Sequence, residues 1–224
     1  MKKRYKYSIA IIVAILVTVI ILLIKSNRWE SYYINKLNEP AREFIVQALK
    51  TIPNPKSGDV ALDLGAGVGH ETLLLLEKGY NVIALDKQKI AFDFMLKRPE
   101  ITQYKDHLKT IISSFEDLNF TLLPDLDIVI ASFSMPFINP KDFDEFWNHL
   151  VEKIKPSGYF IGNTFDPGFT TFNEKDRSVM TFHTKQQTMD LLKKFTILSF
   201  KKVKDASKSP GKYTHHYEII AQKK

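Results

Sequence analysis

Apolar residues along this chain fall into short runs separated by segments with helical spacing, and the alternation predicts strands alternating with helices. A helix opens at Asn38-Glu39-Pro40, with Asn as cap, Pro in the first turn and Phe44, Ile45, Ala48 and Leu49 as its apolar face. Pro53-Asn54-Pro55 and Ser57-Gly58-Asp59 then turn the chain into a buried strand over 60–64. A helix over 71–78 and a strand over 81–85 follow, with Asp86 at the strand's end. Next come a helix over 89–96 closed by Pro99, strands over 108–113 and 126–132, and a helix over 143–154. Lys155-Pro156-Ser157-Gly158 reads as a turn into a fifth strand over 159–165. Thr184 with Gln187 forms a capping box for a helix to Lys194. Two final runs, 195–203 and 214–221, flank a polar turn containing Gly and Pro and read as a terminal hairpin. The order predicts an α/β fold, a doubly wound and mostly parallel sheet with the hairpin as its one antiparallel edge.

The turn after the first strand carries glycine at every second position, Gly65, Gly67 and Gly69, preceded by Asp63. Such a turn lets a ligand approach the peptide plane closely. A dinucleotide loop wants G-x-G-x-x-G, and here His70 takes the place of the last glycine. Asp86 follows the glycines by about 20 residues, the offset at which a strand-end carboxylate reaches ribose hydroxyls. A strand-end Asp also serves as a helix cap.

One further run changes the picture. Residues 8–24 are apolar but for Ser8 and Thr18, with basic residues on both flanks. Their 17 positions would rise about 26 Å as a helix, and Tyr7 and Trp29 in the interfaces would complete a core of about 30 Å. No small-x-small cleavage site follows Ile24, so an uncleaved single-pass anchor is expected over 1–28, with a folded domain over 29–224. Basic residues tie across the span, and the cytosolic origin of the expected cofactor points the domain to the cytoplasm. The anchor segment also holds six of the seven net charges, so a basic pI near 9.3 gives no support for nucleic-acid binding. Within the rest, the tail from Lys175 is net basic, with Lys201, Lys202, Lys204, Lys208 and Lys212 around the hairpin turn. These lysines read as protection of an exposed edge or as a contact with anionic lipid. Without cysteine there is no disulfide and no thiolate ligand or nucleophile.

From residue 29 to 221 the chain resembles the class I S-adenosylmethionine (SAM) methyltransferases, in particular the small tellurite-resistance-like group. The blocks carrying the resemblance are Ala61-Leu62-Asp63-Leu64-Gly65-Ala66-Gly67-Val68-Gly69, Ser114-Phe115-Glu116-Asp117-Leu118 and Ala131-Ser132-Phe133-Ser134-Met135-Pro136-Phe137. Further blocks are 150–162, Met180-Thr181-Phe182-His183-Thr184 and 215–221. The resemblance implies a Rossmann-like seven-stranded sheet with its last strand antiparallel, and SAM held by Asp63, Gly65, Ala66, Gly67, Gly69, Asp86, Lys87, Phe115, Glu116 and Ser132. Two departures from the group stand out. Ser114 occupies the place of an adenine-contacting Asp, which leaves adenine to Phe115, Glu116 or a backbone amide. Residues 164–179 lack the usual Gly-x-Arg-Asp-x-Trp stretch of the acceptor side.

Methyl transfer from a sulfonium is mainly a task of orientation and exclusion of water. Phe133, Met135, Pro136 and Phe137 sit where this architecture puts its crevice, and Phe165 would close the pocket from the fifth strand, with Phe169 beside it. Each of them also reads as plain core. No metal motif is present among six histidines. His215 and His216 are adjacent and face opposite ways on a strand. His183 and His215 are the candidates for a base. The expected function is a membrane-anchored methyltransferase of a small-molecule or lipophilic acceptor, with no nucleic-acid partner. An inactive SAM-fold module holding a partner at the membrane is the alternative.

Overall fold

The computed structural model describes residue 13, residues 29–206 and residues 212–224. The chain divides into two compact units, Met1–Glu39 and Pro40–Lys224. In the first, a helix over 29–36 groups Trp29, Tyr32 and Tyr33, whose rings lie 5.3 to 5.9 Å apart, and ends at a Lys36–Glu39 ion pair. Apart from Val13, the anchor expected over 1–28 lies outside the described residues. Among those described, no helix is long and apolar enough to cross a membrane.

The second unit is built on one sheet of seven strands. They are β1 (Val60–Leu64), β2 (Asn81–Asp86), β3 (Leu108–Ile112), β4 (Leu126–Ala131), β5 (Ile154–Phe165), β6 (Phe195–Ala206) and β7 (Tyr213–Lys223), in spatial order β3-β2-β1-β4-β5-β7-β6. Strands β1 to β5 pair in parallel, and β7 runs antiparallel to both neighbours. The antiparallel strand is therefore one place in from the edge, and β6 takes the edge. Helices α1 (Glu43–Thr51), α2 (His70–Lys78), α3 (Lys89–Met95) and α4 (Pro99–Thr102) accompany the first half. Helices α5 (Pro140–Lys153), α6 (Glu174–Arg177) and α7 (Lys185–Leu191) follow.

Alternate strand residues supply two cores. Ala61, Val82, Ala84, Ile128, Ile130 and Ile161 pack on one face against Ile45, Ala48 and Leu49 of α1 and Leu75 and Leu76 of α2. Leu62, Leu85, Val129, Phe160, Tyr217 and Ile219 pack on the other against Phe143, Trp147 and Leu150 of α5. Strands β1, β2 and β4 are apolar on both faces, as strands covered on both sides must be.

Several boundaries differ from the sequence expectation. Asn38 does not cap α1: Leu37 and Glu39 donate back to Tyr33 and Lys36, which ends the preceding helix, and α1 begins at Glu43 after Arg42. Pro40 keeps the residue before it out of the helical region. The turn expected at Lys155-Pro156-Ser157-Gly158 is instead a bulge inside β5. Ile154 already pairs with Leu126, the register shifts before Ile128, and Ser157 takes φ 64°. Lys155 secures it with a 2.8 Å ion pair to Asp127. The capping box at Thr184 is present, although α7 ends at Leu191, short of Lys194.

Candidate functional site

The strand order reverses between β1 and β4, so the carboxyl ends of these strands open onto a crevice, the usual ligand position of a doubly wound sheet. The glycine turn forms one wall. Gly65 and Ala66 both donate to the Leu85 carbonyl, at 2.8 and 2.9 Å, which ties the turn to the end of β2. At Gly65 φ is 74°, and a Cβ there would lie 2.5 Å from that of Ser134, so the turn and the β4 loop approach to glycine-only distance. At Gly69 φ is 83°, and a Cβ would meet Met95 and Ile101 at 2.7 and 2.8 Å. His70 starts α2 in place of a further glycine. Arg98 Nη1 reaches its Nδ1 at 3.3 Å and the Val68 carbonyl at 2.9 Å, which clamps the turn from outside.

Asp86 ends β2 with both carboxylate oxygens engaged. Oδ2 accepts from Gly67 N at 2.9 Å and Oδ1 from Gln88 N at 2.8 Å. Asp86 is therefore no helix cap, since α3 starts after Gln88 without a side-chain cap; its bonds brace the loop after β2 and tie the carboxylate to the glycine turn. Asp63 lies beneath the turn, buried, with Oδ2 accepting from Thr72 Oγ1 of α2 at 2.6 Å. Burial pushes its carboxyl up to about 8, and the neighbouring Glu71 and Asp86 charges add to this against the Thr72 hydrogen bond. It positions the turn and helix from below. Lys87 is exposed beside Asp86.

On the opposite wall, Ser114 turns its hydroxyl onto Asp117 Oδ2 at 2.6 Å and accepts from Asp117 N at 3.1 Å. The serine closes a turn where the family has an acid. Phe115 lies 3.6 Å from the Cβ position of Gly65 and packs edge-on against Phe146. Glu116 is exposed, its Oε1 accepting from Asn139 N at 3.3 Å. The hydroxyls of Ser132 and Ser134 are buried without a hydrogen-bond partner. Native proteins rarely leave such groups unpaired, and both lie just past the carboxyl end of β4.

Beyond β4 the wall is aromatic. Phe165 and Phe169 stack at 3.9 Å, Phe172 stacks on Phe169 at 5.6 Å, and Phe133 and Phe182 approach Phe165 at 5.6 and 6.3 Å. Phe137 is nearly half exposed and faces Phe172 at 5.8 Å. Met135 and Pro136 are buried in the short turn that carries them, as core. Residues 164–179 thus replace the missing family stretch with phenylalanines.

The two candidate bases are separated from this wall. His183 packs against Phe143 of α5 at 4.6 Å, and burial lowers its imidazole to about 4. His215 faces Asp166, 3.9 Å away, on the other side of β7 from its neighbour. His216 instead lies 4.8 Å from the Phe133 ring. The basic hairpin is partly neutralised: Lys202 pairs with Asp166 at 2.9 Å, and Lys201 lies 4.0 Å from Glu218. Among the described residues no cluster of acids and histidines suits a metal ion.

The sequence reading assigns no site role to Arg42, Ser134, Asn163, Phe172 or His216. Asn163 carried a signal, as the one amide inside the apolar run of β5. His216, Glu218 and Ile220 alternate with Tyr217 and Ile219, a pattern that separates the faces of β7.

Residues 22–164 match the family described as Tellurite resistance protein TehB. Among solved structures, the chain is similar to TehB from Haemophilus influenzae, with a TM-score of 0.68 and 18% identity over 88% of this chain and 67% of that one. It is also similar to a Burkholderia thailandensis 1,6-didemethyltoxoflavin-N1-methyltransferase with bound 1,6-didemethyltoxoflavin and S-adenosylhomocysteine. There the TM-score is 0.62 and the identity 19%, over 90% and 88% of the two chains. These likenesses establish the fold. A curated Dictyostelium discoideum protein described as "Probable dimethyladenosine transferase" is 29% identical over 114 residues, 51% of this chain. The chain covers 34% of that relative, about a third of its length. With the family matched over more than half of the sequence and the seven-stranded sheet in place, the chain belongs to the TehB family of class I SAM-dependent methyltransferases.

Proposed function

We propose that this protein moves a methyl group from SAM to a small or lipophilic acceptor, and does so tethered to a membrane by residues 1–28. The observation that carries the reading is the convergence at one crevice of the glycine turn, Asp86, two unpartnered serine hydroxyls and an aromatic wall. Bound SAM supplies an activated methyl on a sulfonium. The chain's part is to hold and shield it. Asp86 offers its carboxylate to the ribose hydroxyls, the turn from Gly65 to Gly69 lies against the cofactor's amino-acid part, and Phe115 and Glu116 flank the adenine. Ser132 and Ser134 gain the partners they lack. Phe133, Phe137 and Phe165 keep water from the transfer step and give an apolar acceptor its surface. Such a wall suits a flat or hydrocarbon-rich acceptor better than a strongly hydrated one.

The apolar run over 8–24 and the aromatic group at Trp29, Tyr32 and Tyr33 support tethering, since Trp and Tyr favour the membrane–water interface. Calorimetry on the full-length protein tests the central claim: SAM binds and NAD does not. Tight NAD binding, or no heat with SAM, would sink it.

A further inference from the structure

A second set of unpartnered atoms lies one strand over from the serines. Asn163 Nδ2 and His216 Nδ1 are both sealed from solvent without a hydrogen-bond partner, in side chains that are 0% and 5% exposed. They share the α1 face of the sheet. Asn163 pairs with Glu218 and Phe165 with His216 across β5 and β7, so the asparagine and the histidine are diagonal neighbours. Both touch Phe133. Asn163 Oδ1 accepts from Phe133 N at 2.6 Å, and the His216 ring meets the Phe133 ring edge-on at 4.8 Å. Phe133 holds φ 54°, a left-handed backbone that costs a non-glycine residue about 1–3 kcal/mol and clusters at functional sites. The Arg42 guanidinium lies 3.8 Å from its ring and covers it from the α1 side. A buried donor, a buried ring nitrogen and a strained aromatic cover thus meet at the carboxyl end of β4.

We propose that His216 Nδ1 is the base that takes the proton of an N–H or O–H acceptor seated beneath Phe133, with Asn163 Nδ2 donating to the same group. This rests on the methyltransferase reading and deepens it. The acceptor heteroatom's lone pair forms the bond to the methyl carbon as the carbon–sulfur bond breaks with its electron pair going to sulfur. The X–H electron pair stays on the acceptor, and the proton passes to His216 Nδ1 and then to water. Glu218 Oε1 lies 3.7 Å from His216 Nε2, close enough to favour a proton on Nε2, which leaves Nδ1 as the acceptor. Burial lowers the imidazole to about 4. Asp205 of β6 opposes the shift, as does a backbone hydrogen bond at Thr214, while Arg42 and Lys201 reinforce it. The ring is therefore neutral at neutral pH.

The test uses full-length protein with two probes in place of the natural acceptor. Thiophenol is ionised at pH 8 and has no proton to lose; phenol is not ionised there and must give one up. Release of S-adenosylhomocysteine is measured for wild type, His216→Asn, His216→Gln and Glu218→Gln. The histidine variants should lose about 100-fold or more with phenol, yet stay within about 3-fold with thiophenolate, with Glu218→Gln in between for phenol. Equal losses on both probes would mean a structural role and overturn the proposal. Nitrogen-15 NMR of the imidazoles supplies a readout independent of turnover. An Nε2–H tautomer at His216, with Nδ1 bare above about pH 5, supports the proposal, and an Nδ1–H tautomer overturns it whether or not either probe reacts. A failure of wild type to bind SAM by calorimetry would instead remove the methyltransferase reading, and it is scored separately.

Discussion

Asp63 is a carboxyl that destabilises the fold it belongs to, and Asp63→Asn should show it. The side chain is 2% exposed, bonded to Thr72 Oγ1, and shifted from 3.8 to about 8 by burial first and by Glu71 and Asp86 after it. Between these two values the native state keeps a proton that the unfolded chain has released. Stability therefore falls as pH rises through that window, by up to about 1.4 kcal/mol per unit from this group alone, and levels off above about 8. Asn keeps the shape and still accepts from Thr72, but carries no charge. From pH 5 to pH 8 its advantage over Asp should grow by at most about 4 kcal/mol. Relaxation and an effective interior dielectric near 20 bring the expectation to about 2 kcal/mol. For a domain of this size that corresponds to a difference in Tm widening by about 4–8 °C. His183 and His216, lowered to about 4 in the fold, act in the opposite direction between about pH 4 and 6.5, but they are common to both proteins and cancel in the difference. Thermal melts of the two proteins at pH 5, 6.5 and 8 provide the check. A gap that is flat with pH, or an Asn variant less stable at pH 8 than at pH 5 relative to wild type, would refute the reasoning.

Asp86→Ala should weaken SAM binding by about 1.5–3 kcal/mol through loss of a charged hydrogen bond, and an unchanged dissociation constant would leave Asp86 only as a brace of the turn. Gly67, at φ 53°, should not tolerate Val: calorimetry is expected to show SAM binding abolished while circular dichroism keeps the α/β signature. Gly69→Ala places a methyl 2.7 Å from Met95 and 2.8 Å from Ile101 at φ 83°, so urea unfolding should report a loss of about 1–3 kcal/mol, and an unaltered midpoint would contradict the packing. Protease added to spheroplasts should leave the domain intact if residues 1–28 anchor it on the cytosolic side, whereas digestion from outside would reverse that topology.

Local chemistry made much of this protein legible in advance. The strand over 60–64, the glycines that turn it and the carboxylate ending β2 depend on backbone freedom, burial period and spacing along a short stretch. For the same reason the capping box at Thr184 was readable. Family blocks added the cofactor, since they sit on that same local frame. What the sequence could not place were side chains brought together by pairing between distant strands. Nothing local to His215-His216 says which ring meets Phe133, because that depends on the register of β7 against β5, set by partners about 50 residues away. The strained backbone of Phe133, the Arg42 guanidinium over it and the unpartnered Asn163 amide are likewise products of packing among β4, β5, β7 and the start of α1. The bulge at Ser157 shows the limit from the other side. Pro156, Ser157 and Gly158 carry every local mark of a turn, and the pairing of Ile154 with Leu126 and of Tyr159 with Ile128 on either side makes them an unpaired bulge within β5.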